Sequence, residues 1–301
     1  MPLQYFKLQN GNKIPAISIF GTGTQWFKTD ESQFNSELTN QISKVLEIPG
    51  VVHLDAAEIY RTYPELGAAL KNSTKPRDEI WITDKFSRIH DDPIQALDYS
   101  LSKLGVEYVD LYLLHSPFTP KPNADGSHTY DLVKTWKQLE ELVRAGKTRN
   151  IGVSNFGVED LEKILEIAEI RPQVNQIEYN AFLQNQTPGI YDFAQKHQIL
   201  LEAYSPLSPL SVEDKSGEFF QYVQSLASKY STDSGIILLR WVYQRGVLPV
   251  TTSSKFERVQ QSNDKIWEIE LTEEEVNKIS KLGEEHETVR KYWKPFYDQY
   301  N

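Results

Sequence analysis

Cysteine is absent from this chain of 301 residues. That absence excludes a disulfide scaffold, a thiolate zinc site and a thiol nucleophile together. Positive charge is scarce: 32 Lys and Arg stand against 42 Asp and Glu, a formal net charge of −10. Nonspecific nucleic-acid binding needs a basic footprint that this balance does not supply. No run of about 18 apolar residues occurs, so no membrane-spanning helix is expected. The opening residues 1–10 lack the apolar core of a secretory signal. No linker, low-complexity tract or composition shift divides the chain, which reads as one domain over residues 1–301. The expectation is an acidic, soluble, cytoplasmic protein with no metal site and no nucleic-acid or membrane partner. Core material is ample, with 39% hydrophobic residues including 13 Phe, 16 Tyr and 6 Trp.

The chain alternates between two kinds of segment. Short β-branched or apolar runs occur at residues 16–20, 51–55, 79–83, 109–114, 150–154, 173–177, 200–204 and 247–251. Helix-like periodicity fills the intervals at 94–104, 132–144, 158–168 and 236–243. Asp92-Pro93 supplies a cap and a first-turn proline, and Thr272 with Glu275 forms a capping-box pattern. Ahead of these, Asn10-Gly11 follows Tyr5-Phe6-Lys7-Leu8 and signals a tight hairpin. Eight strands alternating with helices over about 250 residues predict an α/β fold, a (β/α)8 TIM barrel with an N-terminal β-hairpin. A doubly wound sheet is the alternative. Its phosphate turn needs a third glycine that Gly21-Thr22-Gly23-Thr24-Gln25-Trp26 lacks.

In a barrel, chemistry collects where strands end. Here those ends carry Asp55 with Tyr60 close behind, then Lys85, then His115. Each has a plain structural reading: a capping acid, a packed phenol, a solvated amine, a core imidazole. Together they have a use. A buried Lys85 cation held by Asp55 is expected to lower the pKa of Tyr60 from about 10. Tyr60 can then give a proton near neutral pH, while a neutral His115 orients a carbonyl oxygen. Such a site lacks a reductant, so a cofactor must supply hydride.

Over nearly its full length the sequence resembles the aldo-keto reductase superfamily. The matching segments are Phe20-Gly21-Thr22-Gly23-Thr24, His53-Leu54-Asp55-Ala56-Ala57-Glu58-Ile59-Tyr60, Ile82-Thr83-Asp84-Lys85 and Asp110-Leu111-Tyr112-Leu113-Leu114-His115. They continue through Gly146-Lys147-Thr148-Arg149-Asn150-Ile151-Gly152-Val153-Ser154-Asn155-Phe156, Val174-Asn175-Gln176-Ile177-Glu178 and Ala203-Tyr204-Ser205-Pro206-Leu207. The resemblance implies a catalytic tetrad of Asp55, Tyr60, Lys85 and His115, with Tyr60 the general acid. It implies NADPH as cofactor. Ser154, Asn155 and Gln176 would hold the carboxamide and Tyr204 would stack on the nicotinamide. Ser205 and Leu207 would meet the pyrophosphate, and Gly23 and Thr24 would lie near the ribose, with Asp55 also close to the cofactor. Trp26, Tyr60, His115 and Ser116 would face the substrate. The C-terminal tail, including Tyr292-Trp293 and Phe296-Tyr297, would line the substrate pocket; packing on the barrel wall is the alternative.

Three departures from the family pattern stand out. The Glu-x-x-Gly type element after Tyr60 comes about two residues late, around Glu65 and Gly67. Ser116 follows His115 where many members carry Trp, which is expected to open the pocket. After the last strand, Ser253, Ser254, Lys255 and Arg258 replace a Pro-Lys-Ser pattern. A helix N-terminus with two cations and hydroxyls suits a 2′-phosphate. Either Ser262 or Asn263 corresponds to the residue that contacts adenine. The loop 118–130, with Pro120, Pro122 and Gly126, is a candidate lid.

The implied activity is reduction of ketones and aldehydes by NADPH. The similarity is greatest to fungal carbonyl reductases of α-keto amides, conjugated diketones and ketopantoyl lactone. An aldose or xylose reductase, and a cofactor-sensing subunit with little turnover, are the competing readings. The partner expected is a small carbonyl substrate, with the chain a monomer or dimer.

Overall fold

A computed structural model describes residues 5–16, 19–119, 127 and 129–301. The hairpin forms as expected: β1 (Tyr5–Lys7) pairs antiparallel with β2 (Lys13–Pro15). Gly11 takes the positive φ of +90° that the turn requires. Asn10 and Asn12 both donate to the Asn150 carboxamide oxygen, at 2.8 and 2.9 Å.

Eight parallel strands follow: β3 (Ile19–Gly21), β4 (Val52–Asp55), β5 (Ile80–Phe86), β6 (Leu111–Leu114), β7 (Ile151–Ser154), β8 (Val174–Glu178), β9 (Leu200–Tyr204) and β10 (Leu248–Pro249). They pair in sequence order. Gly21 N–H donates to Thr251 O at 2.9 Å and bridges the first strand edge to the last. The strands are joined through α1 (Ser36–Leu46), α2 (Tyr63–Asn72), α3 (Pro93–Leu104), α4 (Leu132–Arg144), α5 (Val158–Ile167), α6 (Ile190–His197), α7 (Glu218–Lys229) and α8 (Ser234–Gln244). Helices α9 (Phe256–Lys265), α10 (Glu273–Glu284) and α11 (Lys294–Tyr297) follow β10. The Asp92 cap and the Thr272–Glu275 capping box form as the sequence predicts.

Alternation along the strands sorts the residues. Outward positions such as Val52, Leu54, Ile80, Ile82, Leu114 and Val153 bury against the helices. Inward positions near the strand starts are apolar: Ile19, Trp81, Leu111, Val174 and Leu248, over which Leu8 and Ile14 of the hairpin pack. Further along, the inward positions turn polar. The barrel thus has an apolar floor and a polar rim, and the polar groups stay in place because rigid strands hold them.

Several strand bounds differ from expectation, and two of the differences bear on the site. The third strand was expected over 79–83 but runs on to Phe86. Lys85 is therefore an inward strand residue with no exposed surface, rather than a residue after the strand. Asp84, one position away, points to the opposite face and accepts from Tyr63 Oη and Ser100 Oγ, both at 2.8 Å. The last strand shrinks to Leu248–Pro249, although Val250 N–H still donates to Ala203 O of β9 at 2.8 Å.

Candidate active site

The rim polar groups meet at the floor of a cavity of about 700 Å³. Asp55 ends β4. Its Oδ1 accepts from Lys85 Nζ at 2.7 Å and its Oδ2 from Gln176 Nε2 at 2.9 Å. Lys85 also donates to Ala56 O at 2.9 Å and lies 3.5 Å from Tyr60 Oη. Tyr60 closes the single 3-10 turn Glu58–Tyr60, which Arg61 ends with a left-handed φ of 57°. Its ring meets the His115 ring edge-on, with centroids 5.7 Å apart.

Charge states follow from burial and neighbours. Burial works most strongly against the Lys85 charge, but Asp55, Tyr60 and Glu202 together outweigh it and hold the amine above its ordinary pKa. His115 is held well below the ordinary imidazole value, by burial first and then by the Lys85 charge, so its ring is neutral. Tyr60 departs from expectation. Lys85 lowers its pKa as anticipated, yet burial raises it more and Asp55 adds to the rise. The phenol therefore stays protonated throughout the physiological range.

Glycine at position 23 is demanded by this arrangement. A Cβ there would lie 2.7–2.9 Å from three ring atoms of Tyr60. Glu58, in the same segment, is buried and accepts from the amides of Ser87 and His90 at 2.8 Å, fixing the loop after β5.

Gly23, Thr24, Gln176, Tyr204, Ser205 and Leu207 line the same cavity, as do Asp55 and Asn155. Thr24, Asn155 and Ser205 have left-handed φ of 54°, 62° and 55°. Left-handed backbone at non-glycine residues concentrates where function over-determines it. The Asn155 amide is fully engaged: it donates to His115 O and Ser154 Oγ and accepts from Gln186 Nε2 and Tyr204 Oη. Ser154 is buried beneath the wall and donates to Gln176 O at 2.7 Å. Neither residue caps α5, whose N-cap is Gly157.

Ser253, Ser254, Lys255 and Arg258 gather at the start of α9, next to Thr251 and Thr252 of the cavity wall. Lys255 and Arg258 are exposed and form no ion pair among the described residues. Ser262 and Asn263 both line a crevice between α9 and the barrel wall.

Of the expected substrate residues, Tyr60, His115 and Ser116 line the cavity, but Trp26 does not. Trp26 is buried and donates to Thr252 Oγ1 at 3.2 Å, while its neighbour Phe27 takes the cavity position. The Ser116 hydroxyl is committed to the backbone of Phe118, donating to its oxygen at 2.5 Å and accepting from its N–H at 3.2 Å. Phe118 in turn stacks on Phe296 at 3.9 Å. The tail does both things left open by the sequence. Tyr292 and Trp293 line the cavity, while buried Tyr297 donates its hydroxyl to Asn155 O. Ile59 and Ser87, which the sequence did not assign to the site, also line the wall, as does Tyr130 at the end of the candidate lid. Of the candidate lid, residues 120–126 and 128 lie outside the described residues.

The model of the aldo/keto reductase family matches residues 19–284. The NADPH-dependent alpha-keto amide reductase of Saccharomyces cerevisiae is 54% identical, covering 99% of this chain and 96% of its own length. An NAD/NADP-dependent indole-3-acetaldehyde reductase of Schizosaccharomyces pombe is 37% identical, covering 92% and 94%. Among solved structures, a Bombyx mori aldo-keto reductase in complex with NADP superposes with a TM-score of 0.82 at 30% identity, covering 99% and 98%.

Proposed function

This chain belongs to the aldo/keto reductase family, and from that premise we propose that it is an NADPH-dependent reductase of α-dicarbonyl compounds with Tyr60 as its proton donor. The observation that carries the reading is the buried Asp55–Lys85 pair under the neutral Tyr60 hydroxyl, beside a neutral His115.

The residues present fit the cofactor. Gln176 commits its amide nitrogen to Asp55 and to Glu202, at 2.9 and 2.7 Å, which leaves Oε1 to accept from a carboxamide. The Tyr204 hydroxyl is anchored to Asn155 at 2.7 Å, holding the ring against the cavity as a stacking face. Ser208 Oγ is buried at the wall with no partner among the described residues, a hydroxyl that a phosphate could engage. Lys255 and Arg258 supply cations with no ion-pair partner among the described residues, at the start of α9. When bound, NADPH supplies hydride to the carbonyl carbon.

The protein does the rest. His115 would hold the carbonyl oxygen, and Tyr60 would pass its Oη proton to that oxygen as charge develops there. Lys85, 3.5 Å away, would stabilise the phenolate left behind. Asp55 keeps Lys85 charged and fixed. Tyr60 then regains a proton from solvent.

The walls support the proposed substrate class. Phe27, Ile59, Phe118, Tyr130, Tyr292 and Trp293 give mostly apolar sides. Ser116 spends its hydroxyl proton on the backbone and has none left to donate to a sugar. Polyhydroxyl substrates would leave hydroxyls unpaired there, a penalised outcome. A second carbonyl beside the first also eases hydride attack. NADPH oxidation measured across aldoses, α-keto amides, vicinal diketones and ketopantoyl lactone tests the reading. Faster turnover of xylose than of every α-dicarbonyl would overturn it.

A further inference from the structure

Ser87 is the first residue beyond β5. It lines the cavity, and its Oγ lies 2.7 Å from Nδ1 of His115. Both partners are fixed from behind. The Ser87 amide donates to the buried carboxylate of Glu58 at 2.8 Å. The His115 amide donates to Phe86 O at 3.0 Å, and its carbonyl accepts from Asn155 Nδ2 at 2.8 Å. The imidazole–hydroxyl contact is thus set by strand and loop backbone before any ligand arrives.

A neutral imidazole has one N–H and one bare nitrogen. With Nδ1 taken by Ser87, Nε2 is the nitrogen left to the cavity. A carbonyl oxygen can only accept, so a ring that grips it must carry its hydrogen on Nε2. Nδ1 must then accept, and its partner must donate. The common partners of a histidine Nδ1, a backbone carbonyl or a carboxylate, can only accept and would pull the hydrogen to Nδ1. A serine hydroxyl can donate.

We propose that Ser87 donates its hydroxyl proton to Nδ1 of His115 and so holds the imidazole in the Nε2–H tautomer that orients the substrate carbonyl. Ser87 is a positioning residue, acting through His115, and the inference rests on the reading of His115 given above. The same bond satisfies the Nδ1 lone pair, which burial would otherwise leave unpaired.

Nitrogen NMR of the full chain with 15N-labelled histidine tests this without turnover, with the His115 signals identified by their loss in His115→Asn. The wild-type ring is expected to show a bare Nδ1 and a protonated Nε2. Ser87→Ala is expected to mix the tautomers and to lower kcat roughly tenfold, about the worth of one hydrogen bond. NADPH affinity, read by fluorescence titration, should not change. Ser87→Thr, which keeps the donor, should restore both the tautomer and most of kcat. A protonated Nδ1 in the wild type overturns the proposal. So does a Ser87→Ala variant with unchanged tautomer and undiminished kcat. If the wild-type tautomer is as expected but no carbonyl is reduced, the assigned reaction fails and the tautomer assignment stands.

Discussion

Replacing Gly23 by Ala adds one methyl group, and the structure says what that group meets. The Cβ would sit 2.7, 2.8 and 2.9 Å from three carbons of the Tyr60 ring. Ordinary carbon contacts begin near ~3.5 Å, so the ring must retreat by about 0.8 Å. Backbone strain is not the obstacle, since Gly23 has φ −93° and ψ −151°, an extended conformation open to alanine. The Tyr60 hydroxyl is already 3.5 Å from Lys85, and a retreat of that size takes it out of alignment with any bound carbonyl. A misplacement of about 1 Å typically lowers a rate ~10²-fold. We therefore expect Gly23→Ala to lower kcat roughly 10²-fold, with an overpacking penalty of about 1–3 kcal/mol in stability. Single-turnover NADPH oxidation gives the first number and chemical denaturation the second. In a Tyr60→Phe background, Gly23→Ala should lower kcat little further, because both changes act on one group. A Gly23→Ala enzyme that keeps more than about half of wild-type kcat would refute the reasoning.

Replacing both Lys255 and Arg258 by Ala should weaken NADPH by roughly tenfold or more and leave NADH nearly unchanged, as isothermal titration would show; charge-assisted bonds of this kind contribute about 1.5–3 kcal/mol each. Ser116→Trp should depress kcat/KM for a cyclic diketone more than for a small aldehyde, because it fills the cavity and also breaks the turn that seats Phe118. Glu202 is buried and its pKa is pushed up to about 8, chiefly by burial. Its contribution to stability is full below the unfolded carboxyl value and is lost as pH rises through the folded one. The melting temperature should therefore fall from about pH 5 to pH 8, and Glu202→Gln should flatten that slope. A slope equally steep in the variant would place the titrating group elsewhere.

Much of this was legible because the signals are local. Asp92-Pro93 and Thr272 with Glu275 mark helix starts by backbone chemistry, and the strand-end positions of Asp55 and His115 follow from the barrel alternation. Lys85 was legible as a residue but not as a strand member, because extension of β5 depends on its neighbour strand rather than on propensity. Trp26 and Phe27 differ by one position in a short turn, and only the three-dimensional path decides which ring reaches the cavity. Ser87 and Glu58 act through residues about 28 and 29 positions away. The expected lowering of the Tyr60 pKa failed for a related reason. Sequence names the charged neighbours but not the depth of burial, and burial won.

The central claim is that Tyr60 is the proton donor. Tyr60→Phe removes only the hydroxyl, and its effect on the single-turnover rate of NADPH oxidation with an α-dicarbonyl tests the claim most directly. The account predicts a loss of about 10²–10⁴-fold with NADPH affinity retained. A variant that keeps more than about a tenth of the wild-type rate would contradict it.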